Sequence, residues 1–293
     1  MTSPATLPFE KWQGTGNDFV ICSHRLANEF AESIPDLAKA ICDRHYGVGS
    51  DGLILIGKSD TADFCMQMWN PDGSESEMCG NGLRCVGMHL LGHSVVDGST
   101  PVTIETIGRI NQINFIPAPD WVTESPAWVQ VDMGEPVFDR KAIPIATDGN
   151  SPVVEEELEI HGIPHPLKYT AVNFGNPHAV IFVDSVDDVP LHVWGPAIEN
   201  HIEIFPSRVN TEFVQVISSE HVRMRVWERG AGETLSCGSG TAAVQTACHL
   251  TGKASDMLRV DPPGGSLMTE FTGDGHVLLS GPVVRTFTGE WPS

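Results

Sequence analysis

The chain has 293 residues, 41% hydrophobic and 19% charged, a globular profile long enough for one large domain or two ordinary ones. Its formal net charge of −21, from 17 basic against 38 acidic side chains, excludes a basic stripe for nucleic-acid phosphates. No apolar run approaches the roughly 20 residues of a membrane span. The opening MTSPATLPFEKW lacks the basic start and apolar stretch of a secretory signal, so a cytoplasmic location is expected.

In chain order, β-like runs outnumber helical ones. FVIC (19–22) reads as a strand and is followed by a helical pattern over 34–44. GLILIG (52–57) and FCMQMW (64–69) are strands, then 82–92 is a helix and VTIET (102–106) a strand. Residues 117–128, with three prolines and no period, read as a boundary, and 141–166 is ragged and loop-rich. AVIFV (179–183), TEFVQVI (211–217) and VRMRVW (222–227) are strands, 240–251 is a helix, and 194–200 is a weaker helix. The pattern is α+β, with more strand than helix and no regular βαβ alternation.

A weak internal repeat runs through these elements. Laying Cys79 on Cys237 also aligns Met66 with Met224, Trp69 with Trp227, Glu75 with Glu233, and Val86 with Val244. Gly80 and Gly82 then meet Gly238 and Gly240, and GNDFVI (16–21) matches GNPHAVI (175–181) after a one-residue slip. The inference is two halves of one fold, each a strand leading to a Cys-Gly-x-Gly helix start.

Seven irregularly spaced cysteines without an export signal do not make a disulfide framework, and no C-x-x-C pair suggests zinc. Most are expected to be small buried hydrophobes. Cys79 and Cys237 differ, because a Gly-x-Gly turn opening a helix directs unpaired N–H groups outward and favours negative charge. Such a place suits a substrate carboxylate and lowers the pKa of a thiol. Two such thiols on opposite faces of one α-carbon would invert it, one acting as base and the other as acid.

KWQGTGNDFVI (11–21), DRHYGVGSDGLILI (43–56), WNPDGSESEMCGNGLRCV (69–86), GNPHAVIF (175–182) and RVWERGAGETLSCGSGTAAV (225–244) resemble diaminopimelate epimerase. The resemblance implies a cofactor-independent epimerase that interconverts LL- and meso-diaminopimelate in lysine and peptidoglycan-precursor synthesis. It implies two pseudo-symmetric domains, each a barrel-like β-sheet around a central helix, over 1–128 with 281–293 and over 129–280. By motif, Cys79 and Cys237 are the acid–base pair, and Gly80, Asn81, Gly238 and Ser239 supply donors to the α-carboxylate. Glu228 helps to bind the reactive α-ammonium. Asn17, Asn70, Asn176, Asn210 and Arg229 hold substrate polar groups, Arg229 being the natural carboxylate partner. His178 reads equally as part of the site or as a buried, satisfied histidine. Gly52 stands where some family members carry glutamine, so no side-chain contact carries over there.

Other signals are weaker. GVGSDG (47–52) spells G-x-G-x-x-G but lies between a helix pattern and a strand, the wrong context for a dinucleotide. His89 and His93 are spaced for a metal, but no third ligand is evident in the sequence. The expectation is therefore no cofactor, no metal, a small-molecule substrate (diaminopimelate), no nucleic acid and no membrane, with a homodimer compatible. The competing readings are a racemase of the same fold acting on histidine or proline, and a thiol redox or metal-binding protein built on Cys79 and Cys237.

Overall fold

The computed structural model describes residues 6–76, 79–122, 128–149 and 151–292. The chain divides into two compact units, Met1–Val131 with Ser280–Ser293, and Asp132–Leu279. Of the stretch read as a boundary, 123–127 lie outside the described residues.

In the first unit, β1 (Thr6–Gly14) and β2 (Asn17–Ser23) form a hairpin whose turn places Thr15 and Gly16 at positive φ. Helices α1 (His24–Phe30) and α2 (Ile34–Cys42) follow. The α2 start is set by Ser33, whose hydroxyl accepts from the Asp36 N–H, and by Pro35 in the first turn. The crossover returns to β3 (Gly52–Gly57), parallel to β2. Its unbroken apolar run is what a strand covered on both faces requires. Next come β4 (Phe64–Trp69), the short β5 (Glu75–Ser76) and α3 (Gly80–Gly92). Then β6 (Val102–Thr106) runs parallel to β4, and β7 (Arg109–Ile116) and β8 (Trp128–Asp132) add antiparallel. A strand at Val284–Pro292 pairs antiparallel with the other side of β1.

The second unit repeats this frame. β9 (Glu156–Leu158) borders β10 (Leu167–Asn173), which pairs antiparallel with β11 (Pro177–Phe182). After α4 (Leu191–Glu199), β12 (Asn210–Ser218) lies parallel to β11 and antiparallel to β13 (His221–Glu228). The short β14 (Gly232–Thr234) leads into α5 (Gly238–Thr251). Finally β15 (Met257–Asp261) is parallel to β13 and antiparallel to β16 (Leu267–Phe271).

Each unit is thus an α+β sheet whose parallel pairs bracket one helix buried on nearly every side, as a core helix must be. In α3 every residue from Gly80 to Gly87 is buried; in α5 Gly238 and the run Gly240–Cys248 are. Glycine permits the close approach in the first unit: a Cβ on Gly87 would lie 2.7 Å from Ile113 Cδ1. Both helices begin two residues earlier than their periodicity predicts. The Gly-x-Gly segments are consequently the first helical turns, not loops before them, because each cysteine serves as the N-cap.

Candidate active site

Cys79 and Cys237 occupy equivalent backbone positions. Each is the N-cap of its unit's core helix in extended conformation, at φ −143°, ψ 110° and φ −124°, ψ 115°. The two backbones agree within about 20°, the ordinary scatter of one conformation. The sulfur neighbours differ between the units.

In the first unit the Gly82 N–H reaches Cys79 Sγ at 3.4 Å, and Cys79 lies 3.9 Å from Asn17 Oδ1 as a thiol donor. Asn17, on the turn side of β2, also accepts from Asn81 Nδ2 at 3.1 Å and donates to Asp51 at 2.7 Å. Asn17, Cys79 and Asn81 therefore converge. Asn70 stands at a turn, where its amide donates to Ser74 Oγ at 3.0 Å. Beneath them lies Arg84, fully buried, which sequence reasoning passed over. Its Nη2 donates to Asn81 Oδ1 (2.5 Å) and Thr15 Oγ1 (3.3 Å), and Nη1 to Pro282 O (3.0 Å). Burial brings its pKa down to about 10. The guanidinium fixes Asn81 from below, and its place at i+3 from Asn81 on a buried helix was the available signal.

In the second unit, Cys237 Sγ sits 3.6 Å from Ser239 Oγ, and Thr241 caps back onto the Cys237 carbonyl through both N–H and hydroxyl. The helix start was expected to lower the Cys237 pKa. Instead it lies well above the ordinary thiol value. Burial dominates, the charges of Glu228 and Glu212 add to it, and the Ser239 hydrogen bond opposes them. Glu228 is likewise pushed up by burial, against hydrogen bonds from Thr234 and Cys237.

Asn176, His178 and Glu212 form a chain: His178 Nε2 lies 2.9 Å from Asn176 Oδ1, and Nδ1 lies 2.7 Å from Glu212 Oε1. His178 and Glu212 are both wholly buried, so His178 meets the buried, satisfied description and touches the site through its partners. Asn210 has both amide atoms engaged by backbone, Nδ2 on Pro177 O and Oδ1 on the Arg229 N–H. It thereby pins β11 to the loop carrying Arg229, whose exposed guanidinium bonds Ser207 O at 3.0 Å.

His89 and His93 acquire the third neighbour that the sequence did not reveal. Glu10, on β1, lies 2.9 Å from His89 Nδ1 and 2.7 Å from His93 Nε2. The same carboxylate accepts from Trp12 Nε1 (2.7 Å) and Arg285 Nη1 (3.1 Å), so a guanidinium already supplies positive charge there. It is a hydrogen-bond hub joining β1, α3 and Val284–Pro292.

In fold, the chain resembles a solved hydroxyproline epimerase from Agrobacterium vitis with bound trans-4-hydroxy-L-proline, at TM-score 0.68 and 14% identity. The match covers 99% of this chain and 92% of that one. That likeness defines the fold class. The diaminopimelate epimerase family profile matches residues 9–138 and 170–286. A diaminopimelate epimerase of Leptospira biflexa serovar Patoc is 42% identical over 282 residues, covering 96% of this chain and 98% of the relative. One of Desulfovibrio desulfuricans is 44% identical over 294 residues, covering 97% and 98%. The chain belongs to the diaminopimelate epimerase family, a family of isomerases. Among the described residues no helix is long and apolar enough to cross a membrane.

Proposed function

We propose that the chain interconverts LL- and meso-2,6-diaminopimelate, serving lysine and peptidoglycan-precursor synthesis in the cytoplasm, with Cys79 and Cys237 as the two proton carriers. One sulfur, as thiolate, takes the α-proton as the C–H bond breaks. The electron pair remains on the α-carbon, delocalised toward the carboxylate. The other sulfur, as thiol, gives its proton to the opposite face, and the two have exchanged protonation states. Gly80, Asn81, Gly238 and Ser239 offer helix-start donors to the carboxylate, where charge develops. Glu228 balances the α-ammonium. Asn17, Asn70, Asn176, Asn210 and Arg229 complete the shell, with the Arg229 fork suited to a carboxylate.

The observation that carries this reading is the matched pair of cysteine N-caps, each opening the core helix of its unit in the same backbone conformation. Turnover of LL-diaminopimelate in heavy water should place solvent deuterium at the inverted centre. Cys79→Ser and Cys237→Ser should each lose at least about a hundredfold in kcat, since a hydroxyl is a far weaker acid and base at neutral pH. Full turnover in either variant refutes the two-carrier assignment.

A further inference from the structure

The repeat makes the floors of the two helix starts directly comparable. In the first unit Phe19 pairs with Gly52 across β2 and β3, and in the second His178 pairs with Asn210 across β11 and β12. Two residues along, Ile54 of β3 faces Met68 of β4, and Glu212 of β12 faces Val226 of β13. Phe19 thus corresponds to His178, and Ile54 to Glu212. All four side chains are fully buried.

Ile54 and Glu212 lie directly under the third residue of their respective core helices. A Cβ on Gly82 would stand 3.0 Å from Ile54 Cδ1 and 3.0 Å from Met66 Cε. A Cβ on Gly240 would stand 2.6 Å from Glu212 Oε1 and 3.3 Å from Cys237 Cβ. One frame therefore carries a hydrocarbon floor under one cysteine's helix and a carboxylate under the other's. Glu212 Oε1 is held by His178, while Glu212 Oε2 is buried with no hydrogen-bond partner among the described residues. Burying a carboxylate is costly, so its presence where an isoleucine fits the same frame calls for a role.

We propose that Glu212, oriented by His178, is a positioning residue that holds Cys237 in its thiol form in the substrate-free protein. The inference rests on the two-carrier reading above. The resting base is then Cys79, and the direction of reaction in which Cys79 takes the α-proton begins from that state, with Cys237 as the proton donor. The groups facing Cys237 are Glu228 from β13, Glu212 from β12 with His178 of β11 behind it, and Ser239 from α5. Burial is the largest influence that opposes a thiolate there, and the two carboxylates add to it. Glu228 faces the thiol and belongs to the proposed substrate shell. Glu212 lies buried below, under Gly240.

The test follows the Cys237 proton directly. The full chain is labelled with carbon-13 at cysteine Cβ, the Cys237 signal is assigned through Cys237→Ser, and pH is raised without substrate. In the parent protein Cys237 should stay a thiol past the ordinary thiol midpoint of about 8.5. In Glu212→Gln, which keeps shape and removes charge, its midpoint should fall by about one pH unit or more, meaning about tenfold more thiolate at fixed pH. The double variant His178→Phe, Glu212→Ile installs the hydrocarbon floor of the first unit and should also lower the midpoint, which covers a poorly folding Glu212→Gln. An unmoved midpoint in a folded variant overturns the proposal, because a merely structural role would change stability and leave the titration in place. The Cys237 signal reads independently of turnover. If Cys237→Ser retains full activity, the two-carrier reading fails, while a shifted midpoint would still establish the control of the thiol by Glu212.

Discussion

Gly240→Ala isolates the contact between α5 and its floor. The new methyl carbon would be placed 2.6 Å from Glu212 Oε1, well inside a normal carbon–oxygen contact. Glu212 cannot yield easily, since His178 holds that oxygen at 2.7 Å and both residues are fully buried. Overpacking of this kind costs about 1–3 kcal/mol, and the better helix propensity of alanine returns about 1, which leaves a net loss of up to about 2 kcal/mol. In a unit of this size that lowers the melting temperature by about 4–8 °C. Gly82→Ala is the matched control: its methyl would meet the far ends of Ile54 and Met66, each at 3.0 Å, and flexible side-chain ends can move aside. Its cost should stay below about 1 kcal/mol. Calorimetric melting of the two variants beside the parent measures the difference. A Gly240→Ala protein as stable as Gly82→Ala would refute the account of a rigid carboxylate floor.

Two further outcomes follow from other buried polar groups. Burial alone would raise the Glu10 pKa, but hydrogen bonds from His89, His93 and Trp12 prevail and bring it from 4.5 to about 2. The folded value is the depressed one, so this stabilisation is present above 4.5 and is lost as pH falls toward about 2. The stability gap between parent and Glu10→Gln, followed by denaturant midpoints, should be widest near neutrality and close in acid; a pH-independent gap would contradict this. Arg84→Lys cannot span Asn81, Thr15 and Pro282 as the planar fork does. It should cost about 1.5–3 kcal/mol per charged hydrogen bond lost and weaken substrate binding through Asn81, read as a raised KM; an unchanged KM would show that Asn81 keeps its place without the fork.

Much of the frame was legible because it is written in local patterns. GLILIG, FCMQMW and VTIET are strands over the spans their alternation and turn residues mark, Gly52–Gly57, Phe64–Trp69 and Val102–Thr106. The two cysteine helix starts were legible because Cys-Gly-x-Gly recurs before an apolar run. Helix α1 was missed: HRLANEF is only seven residues long, has no side-chain cap, and buries little beyond Ala27. Among its described residues the ragged stretch 141–166 yields one short strand, β9, between turns, bends and irregular loop, which hydrophobic period does not encode. Long-range polar partnerships were the least visible. Glu10 meets His89 and His93 from a strand far away in sequence, and nothing local to any of the three announces it. Glu212 was accessible in principle, since laying its strand on the first half sets a carboxylate against Ile54.

The pairing of β1 with Val284–Pro292 has a consequence for synthesis on the ribosome. β1 finds one neighbour at once in β2, but its other edge waits for residues that emerge nearly the whole chain later. Until then Leu7 and Phe9 belong to an open strand edge, the feature that recruits foreign strands. The second unit, contained within Asp132–Leu279, has all its residues outside the tunnel earlier. The half that is translated first is therefore the half completed last, and a nascent chain stalled before residue 284 is the form most dependent on chaperones.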